Sequence, residues 1–315
     1  MTSIRTKTFN LLVKSLIKPF ISRLTVSPDL FRKMQRFDKK YAHKLPNPKG
    51  ARVEETILND VPGLIVSIDK DYEKKEGVVL YFHGGGYLFG SPQGYKRLIW
   101  PLAKKTNMPF VVIDYRMAPD HVYPAALEDS ISAYKALLAQ GYTNITLMGD
   151  SAGGNLTLAT LLKIKTLQLP TPTSAVTISP WTDLSMSSPS AGYNAKNDPY
   201  LPGGPKQLEA AKYYAGDTPL DDPLLSPAFA DYHGITTPLK ITVGGPEVLL
   251  DDAKQVAESA SKAGVEVDFK IWPDMAHVFP LFQFLPEGKE CAKEIVEFVL
   301  THHANKLITE EAISA

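Results

Sequence analysis

The 315-residue sequence is almost devoid of cysteine, since Cys291 is its only one. A single cysteine can form neither an internal disulfide bond nor a cysteine-rich metal site, so no metal site is predicted. Cys291 lies in a helix-like run near the C-terminus and is interpreted as a structural residue. The fold has to rely on its apolar core, for which a hydrophobic content of 44% is ample.

A long apolar run is also missing. No stretch reaches the roughly 18 uninterrupted apolar residues of a transmembrane helix. The nearest candidate, residues 9–24, is interrupted by Lys14, Lys18 and Arg23 and lacks a small-residue cleavage site. Neither a transmembrane helix nor a secretory signal peptide is therefore predicted. Together with the single cysteine, this favours a cytoplasmic location.

Net charge is absent as well, because 34 Lys/Arg balance 34 Asp/Glu. No general attraction to nucleic acid is expected from this balance. The distribution is uneven, however, since residues 1–45 carry eleven Lys/Arg and only two Asp. The sequence therefore joins a basic N-terminal segment to a remainder that is acidic overall.

Within this basic segment, apolar residues recur at helical spacing, and Pro19 is expected to kink or split the helix. The apolar stripe consists of Phe9, Leu12, Leu16, Phe20 and Leu24. Two interpretations stay open. The stripe packs against the rest of the protein, which is the commoner arrangement, or it lies on an anionic membrane surface. A second helix is predicted from Ser27 to Tyr41.

Beyond residue 50, apolar runs alternate with helix-like stretches. The first two runs, 53–58 and 63–68, alternate apolar and polar residues and are predicted to form an antiparallel pair. Later runs are almost continuously apolar, as strands buried on both faces are. They are 78–82, 110–113, 145–148, 175–178 and 239–243, with 265–271 as a further candidate. This alternation predicts an α/β fold with a mainly parallel central sheet.

Residues 183–228 interrupt the rhythm, because they contain no predicted strand and are rich in Pro, Ser, Asp and Tyr. One helix is predicted over about 205–214. Such a long connection is predicted to be an insertion over the carboxyl edge of the sheet, where ligands bind in folds of this class.

The turn Gly149-Asp-Ser-Ala-Gly-Gly154 separates an apolar run from a helix-like run. This is the context of a nucleophile elbow, in which Ser151 is presented on a sharp strand-to-helix turn. The alternative is a glycine-rich turn that merely contains a serine. A nucleophilic serine needs a base, an acid and an oxyanion hole, so the rest of the chain must supply these groups.

A glycine run, His83-Gly84-Gly85-Gly86, follows the strand predicted over 78–82. It predicts an oxyanion hole formed by the N–H groups of Gly84 and Gly85, together with that of Ala152 after the serine. The alternative is a phosphate-binding loop. The usual phosphate-binding signatures are absent, because neither Gly-Lys-Ser/Thr nor Gly-x-Gly-x-x-Gly occurs here.

The chain has seven histidines, and His277 follows the last predicted strand, from where it can reach back to the serine. The acid is expected after the preceding strand, in a loop that contains Glu247, Asp251 and Asp252. The two aspartates stand at a predicted helix start, where carboxylates are stabilising whatever the function. Glu247 lies in the turn itself and is preferred, with Asp251 as the runner-up.

Seven short motifs follow one another along the chain: His83-Gly-Gly-Gly86, Tyr115-Arg-Met-Ala-Pro119, Tyr123-Pro-Ala-Ala126, Gly149-Asp-Ser-Ala-Gly-Gly154, Ser179-Pro-Trp-Thr-Asp183, Asp222-Pro-Leu-Leu-Ser-Pro227 and Met275-Ala-His277. Over about residues 50–305 the chain thereby resembles the hormone-sensitive-lipase family of α/β-hydrolases. The resemblance implies an α/β-hydrolase fold, a serine carboxylesterase or lipase activity and no cofactor. It also implies that Asp150, Arg116 and Asp183 brace the site. The family usually has an aspartate where this chain has Glu247, whose side chain is one methylene longer.

The resemblance also implies a division of the chain. Residues 1–48 and 184–227 are predicted to form a helical cap, and residues 49–183 and 228–315 the catalytic domain. The predicted partner is a small-molecule ester with a short-to-medium acyl group, hydrolysed through an acyl-enzyme intermediate. The alternatives are a non-catalytic small-molecule receptor on the same scaffold, or a lipase or deacetylase that contacts membranes through residues 1–45. No oligomeric state is predicted.

Overall fold

The computed structural model describes residues 2–68 and 77–314, with side chains up to residue 306. Residues 1, 69–76 and 315, which the predicted domains include, lie outside the described part. The described strands are β1 Ala51–Leu58, β2 Val61–Ile68, β3 Val78–Phe82, β4 Phe110–Ile113, β5 Ile145–Asp150, β6 Ser174–Ile178, β7 Leu239–Gly244 and β8 Val267–Trp272. They form one sheet in the order β1-β2-β4-β3-β5-β6-β7-β8.

The sheet is antiparallel at one edge and parallel elsewhere. β2 pairs antiparallel with both β1 and β4, and every pairing from β4 to β8 is parallel. The predicted α/β class, the parallel centre and the antiparallel first pair are thus confirmed. The carboxyl ends of the parallel strands meet at one edge, which gathers the loops that follow them.

The turn between β1 and β2 is shorter than the predicted break over 59–63. Asn59 and Asp60 have φ values of +47° and +69°, so the two residues close the hairpin by themselves. Asn and Asp tolerate this left-handed conformation better than other non-glycine residues do. β2 therefore begins already at Val61.

Helices cover both faces of the sheet. They are α1 Ile4–Leu12, α2 Lys18–Arg23, α3 Pro28–Tyr41, α4 Pro92–Thr106, α5 Ala125–Ala139, α6 Ala152–Thr166, α7 Ser190–Tyr193, α8 Gly204–Ala215, α9 Leu250–Lys262 and α10 Pro286–Ser314. One apolar core lies beneath α5, α6 and α9, and the other beneath α4 and α10. Successive residues of β3 alternate between them, with Leu80 in the first and Tyr81 in the second. Since both faces are covered, β3 is fully buried.

The N-terminal helix changes its hydrogen-bonding pattern before Pro19 but is not interrupted there. A π-helical segment, Val13–Ile17, joins α1 to α2. Proline has no N–H to donate, and the wider turn ends just before it, where the Lys18 N–H donates to the Val13 carbonyl. The expected interruption is thus a single widened turn. No helix in the described ranges is both long and apolar enough to cross a membrane.

The apolar stripe of this helix is only partly covered. Phe9 packs against the rings of Phe282 and Phe284, with centroid distances of 5.5 and 5.2 Å. Leu12, Leu16 and Phe20 are 53%, 68% and 65% exposed. The preferred expectation that the stripe packs against the protein is therefore wrong for these three residues.

Polar contacts also hold the N-terminal helix to the rest of the protein. Glu287 of α10 accepts hydrogen bonds from Ser3 Oγ at 3.0 Å and Thr6 Oγ1 at 2.6 Å. Lys18 Nζ donates to the carbonyls of Ala195 and Asp198, both at 2.6 Å. These two carbonyls belong to the connection between β6 and β7, so the helix and this connection are held together.

The connection between β6 and β7 contains α7 and α8 and no strand. α8 corresponds to the helix predicted over 205–214, whereas the short α7 was not predicted. α8 lies against α3 through Phe31 and Tyr213, whose ring centroids are 6.0 Å apart. The Lys206 ammonium donates to the Leu24 carbonyl. The N-terminal helices and α8 therefore lie side by side.

Candidate active site

Ser151 lies on the sharp turn between β5 and α6, with φ +55° and ψ −119°. This conformation is strained for a residue with a side chain, by about 1–3 kcal/mol. Backbone hydrogen bonds hold it, because the Ser151 N–H donates to the Ile178 carbonyl at 2.9 Å and the Ser151 carbonyl accepts from the Trp181 N–H at 3.1 Å. The turn therefore holds Ser151 in the conformation expected of a nucleophile elbow.

The glycines on either side of Ser151 are required by close backbone contacts. A Cβ on Gly149 would lie 2.2 Å from the Gly153 carbonyl oxygen, and a Cβ on Gly153 would lie 1.9 Å from that of Phe82. Real Cβ atoms do not approach backbone this closely. The end of β3, the end of β5 and the first turn of α6 meet here, and only glycine fits between them.

His277 lies between Ser151 and Glu247. Its Nε2 is 3.0 Å from Ser151 Oγ, and its Nδ1 is 2.7 Å from Glu247 Oε2. A carboxylate accepts from Nδ1–H, which leaves the lone pair of Nε2 directed at the serine hydroxyl. Both His277 and Glu247 are buried. The loops after β8 and β7 therefore bring the predicted base and the preferred acid together.

The pKa of His277 reflects two opposing influences. Burial is the largest single influence and disfavours the imidazolium. The hydrogen bond and charge of Glu247, together with the charges of Asp198 and Asp150, outweigh burial, so the pKa is raised above the ordinary histidine value. A base of this kind readily holds the proton that it takes from a hydroxyl.

Asp251, the runner-up acid, faces elsewhere. Its Oδ2 accepts from the Tyr193 hydroxyl at 2.9 Å and its Oδ1 from Lys254 Nζ at 2.9 Å. Asp252 is buried and accepts the N–H groups of Thr182 and Asp183. Neither aspartate contacts His277.

Two residues without a predicted role hold the Glu247 loop. Ser179 Oγ donates to Glu247 Oε1 at 2.7 Å and accepts from the Val278 N–H at 3.0 Å, so it links the acid loop to the histidine loop. Asn194 Nδ2 donates to the carbonyls of Gly245 and Glu247, at 3.0 and 2.9 Å. Ser179 begins one of the quoted motifs, which is a usable signal. Nothing local in the sequence marks Asn194.

The predicted role of Gly84 in the oxyanion hole is wrong. Its N–H donates to the Tyr95 hydroxyl at 2.9 Å and to Asp150 Oδ1 at 3.2 Å, so it points into the protein and is already paired. By contrast, no acceptor among the described residues pairs with the N–H groups of Gly85, Gly86 and Ala152. Gly86 was missed, although as the third glycine of the run it could have been considered.

Asp150 holds the loop that contains the glycine run 83–86. Besides the Gly84 N–H, it accepts hydrogen bonds from the hydroxyls of Tyr81 and Tyr95, at 2.9 and 2.8 Å. Burial raises the pKa of Asp150 to about 6, against the lowering effect of these hydrogen bonds. The residue before Ser151 thus fixes the loop that faces it, as the resemblance implies.

Arg116 and Asp183 also make structural contacts. The Arg116 backbone N–H and guanidinium both donate to Asp129. The Asp183 carboxylate accepts from the backbone N–H groups of Ser185, Ser187 and Ser188. Asp183 therefore stabilises the start of the connection between β6 and β7.

A cavity of about 450 Å³ opens onto Ser151 and His277. Its walls are mainly apolar and come from the N-terminal helices, the loop after β3, and the connection between β6 and β7 that includes α8. The lining residues include Ile21, Leu24, Phe31, Met34, Leu88, Trp181, Leu201 and Ala210. A larger groove of about 960 Å³ lies between α3, β2 and the start of α4, and contains neither Ser151 nor His277. Size alone therefore does not identify the site.

Potential metal ligands do not cluster in the described part of the chain. Within residues 2–68 and 77–306, no three His, Cys, Asp or Glu side chains lie close enough together to hold a metal ion. Cys291 is buried in α10, with its sulfur 3.3 Å from Thr242 Oγ1.

Known proteins with similar sequences are esterases. Residues 79–281 match the family described as alpha/beta hydrolase fold. An acetyl-hydrolase of Streptomyces hygroscopicus is 39% identical over 226 residues, covering 71% of this chain and 75% of the relative. An esterase of Acinetobacter venetianus is 36% identical over 224 residues, covering 70% and 74%.

Solved structures agree. An esterase from the bacterial hormone-sensitive lipase family has a TM-score of 0.85 at 32% identity, covering 96% of this chain and 99% of that one. A hormone-sensitive lipase from a metagenome library has a TM-score of 0.86 at 34% identity, covering 96% and 100%. Fold and similarity together define a serine hydrolase that acts on carboxylic esters. The chain belongs to the hormone-sensitive-lipase family of α/β-hydrolases.

Proposed function

We propose that Ser151, His277 and Glu247 are the catalytic triad of this carboxylesterase. Ser151 Oγ attacks the ester carbonyl carbon while His277 Nε2 takes the hydroxyl proton, and Glu247 stabilises the imidazolium that forms. His277 then returns the proton to the departing alcohol, which leaves an acyl group on Ser151. Water, activated by His277, releases the acid and restores the serine.

The oxyanion hole in this proposal consists of the N–H groups of Gly85, Gly86 and Ala152. These groups have no acceptor within the described part of the chain. Gly85 and Gly86 line the same cavity as Ser151, and Ala152 follows Ser151 directly. Donors fixed in advance around the developing negative charge stabilise the transition state without having to reorganise. Gly85 has φ +115°, a backbone conformation that residues other than glycine rarely adopt.

We infer that residues 1–48 and 184–227 form a cap over the catalytic residues, which themselves belong to 49–183 and 228–315. The cavity walls formed by the N-terminal helices and α8 support this division. A mainly apolar cavity of this size suits esters with short-to-medium acyl groups. The names of two relatives, the acetyl-hydrolase above and an ethyl acetate hydrolase of Pseudomonas putida that is 29% identical, support small acyl groups.

The observation that carries the proposal is the pair of hydrogen bonds from Ser151 through His277 to Glu247, at 3.0 and 2.7 Å. A fluorophosphonate should label Ser151, and Ser151→Ala should hydrolyse nitrophenyl butanoate at least about 1,000-fold more slowly. Absence of label on the wild type, or an active Ser151→Ala, would refute the triad. Nitrophenyl esters from acetate to palmitate then test the acyl range, with kcat/KM expected to decline for the longest chains.

A non-catalytic receptor is not favoured as an alternative. A receptor needs no base beside a serine, whereas His277 contacts Ser151 here. The two relatives described above are also named as enzymes, an acetyl-hydrolase and an esterase.

We also propose that residues 1–45 can contact anionic membranes, which would leave the chemistry of a lipase or deacetylase unchanged. Leu12, Leu16 and Phe20 are exposed, and Lys7 and Lys14 are exposed on the same helix. Apolar and basic side chains on one exposed helix suit an anionic bilayer surface.

Co-sedimentation with phosphatidylserine vesicles tests this contact. The double variant Leu16→Ser/Phe20→Ser should bind less than the wild type. Ile57→Ser, a matched control on β1 where Ile57 is 70% exposed, should bind equally well. Equal binding by all three proteins would remove the membrane proposal.

A further inference from the structure

Gln207 is an unusual residue of the cavity wall. It lies on α8 and is 8% exposed, yet its Oε1 is enclosed without a hydrogen-bond partner among the described residues. Two neighbouring polar groups of the wall are paired, since Asp150 accepts from Tyr95 and the Lys206 ammonium donates to the Leu24 carbonyl. Gln207 therefore brings an unpaired amide to a mainly apolar cavity.

A glutamine with a structural role in this protein has hydrogen-bond partners within the chain. Gln35 on α3 is also a core-facing amide, and its Nε2 donates to the carbonyls of Leu88 and Ala118, both at 2.8 Å. Those two hydrogen bonds explain why a polar residue stands at that position. No such explanation applies to Gln207, and an unpaired buried amide is unfavourable for folding. A ligand in the cavity is the natural source of the missing partner.

We propose that Gln207 binds a hydroxyl group of the substrate, so that this esterase prefers hydroxylated esters to unsubstituted ones. The proposal rests on the proposed function of the Ser151 site. An amide has both a donor and an acceptor, and a hydroxyl group can satisfy either, whichever way the amide is turned. A charged group is disfavoured in the same place, because the apolar walls would leave its charge desolvated.

The hydroxyl group can belong to the acyl part or to the alcohol part of the ester, and two matched substrate pairs distinguish these sources. The first pair is nitrophenyl 3-hydroxybutanoate and nitrophenyl butanoate. The second is the monobutanoate of 1,3-propanediol and propyl butanoate. For each pair, the ratio of the two kcat/KM values measures the preference for the hydroxyl group.

Gln207→Met keeps the length of the side chain and removes the amide. In this variant we expect the ratio for one of the pairs to fall by roughly 3- to 10-fold, mainly through KM, as the loss of one hydrogen bond implies. The melting temperature should not decrease, because no hydrogen bond within the described chain is lost. Gln255→Met, which alters an exposed glutamine outside the cavity, should leave both ratios unchanged.

Two outcomes would overturn the proposal. One is an unchanged ratio for both pairs in Gln207→Met. The other is an equal loss on all four esters with a lower melting temperature, which would identify Gln207 as structural. The triad is tested separately, by comparing the hydrolysis of the unsubstituted esters by the wild type and by Ser151→Ala. A failure of the proposed triad can therefore be distinguished from a failure of the proposed role of Gln207.

Discussion

Replacing Glu247 by glutamine keeps the shape of the side chain and removes its charge. Glu247 Oε1 accepts hydrogen bonds from Ser179 Oγ and the Gly244 N–H, so the amide oxygen of glutamine should occupy that position. The NH₂ group then faces His277 Nδ1, which has to accept a hydrogen bond. The ring proton moves to Nε2, and Ser151 faces an N–H where it needs a lone pair.

We expect Glu247→Gln to lower kcat by about 10³- to 10⁴-fold, as a wrong histidine tautomer does in serine hydrolases. At 1.36 kcal/mol for each factor of ten, this corresponds to about 4–5.5 kcal/mol of transition-state stabilisation. The matched control is Asp251→Asn. The Asp251 carboxylate accepts hydrogen bonds from Tyr193 and Lys254 and does not contact His277. The kcat of Asp251→Asn should therefore stay within about threefold of the wild-type value.

The assay is nitrophenol release from nitrophenyl butanoate at pH 8, normalised to the concentration of intact active sites. Melting temperatures of both variants show whether a loss of activity reflects unfolding. A larger loss in Asp251→Asn than in Glu247→Gln would refute the assignment of the acid. Retention of more than a tenth of kcat by a folded Glu247→Gln would refute the reasoning about the tautomer.

Three further predictions concern the surroundings of the triad. Ser179→Ala removes a charge-assisted hydrogen bond to Glu247, so kcat should fall by about 10- to 30-fold with KM little changed; an unchanged kcat would mean that the Gly244 N–H alone positions the carboxylate. Lys18→Met loses two hydrogen bonds to backbone carbonyls, so urea unfolding should show a free energy of unfolding lower by about 1–2 kcal/mol, and an equal loss in Lys7→Met would contradict this. Since only neutral His277 can accept the serine proton and Glu247 raises its pKa, kcat/KM should fall with decreasing pH through a midpoint above the ordinary histidine value of 6.5. In Glu247→Gln the midpoint of the residual activity should move to lower pH, and a wild-type midpoint below 6.5 would count against a raised pKa.

The order of strands and helices was predictable because it depends on local patterns. Apolar runs and helical spacing are properties of neighbouring residues. They predicted β3 to β7 as buried strands of a mainly parallel sheet, and residues 265–271 as a further strand. Errors occurred at element ends, such as the start of β2 at Val61, where turn geometry decides. The short α7 escaped prediction because a single turn has too few residues for a periodic signal.

The candidate site, too, was only partly predictable from the sequence. Ser151, His277 and Glu247 could be proposed from the motifs and the positions of the loops after the strands. The direction of a single N–H group could not, and Gly84 was chosen where the structure pairs that group with Tyr95 and Asp150. Asn194 comes from the connection between β6 and β7, which reaches the Glu247 loop only in the folded chain.

Short stretches of residues were enough to predict the α/β class, the sharp serine turn, the glycine run and the late histidine. The folded chain was needed to show which glycine N–H groups are unpaired among the described residues, which carboxylate faces His277, and that Leu12, Leu16 and Phe20 stay exposed. Hydrogen-bond direction and burial depend on partners from distant parts of the chain, so local patterns do not predict them. Ser179 bridges the loops after β7 and β8 from a third loop, a relation that no local pattern encodes.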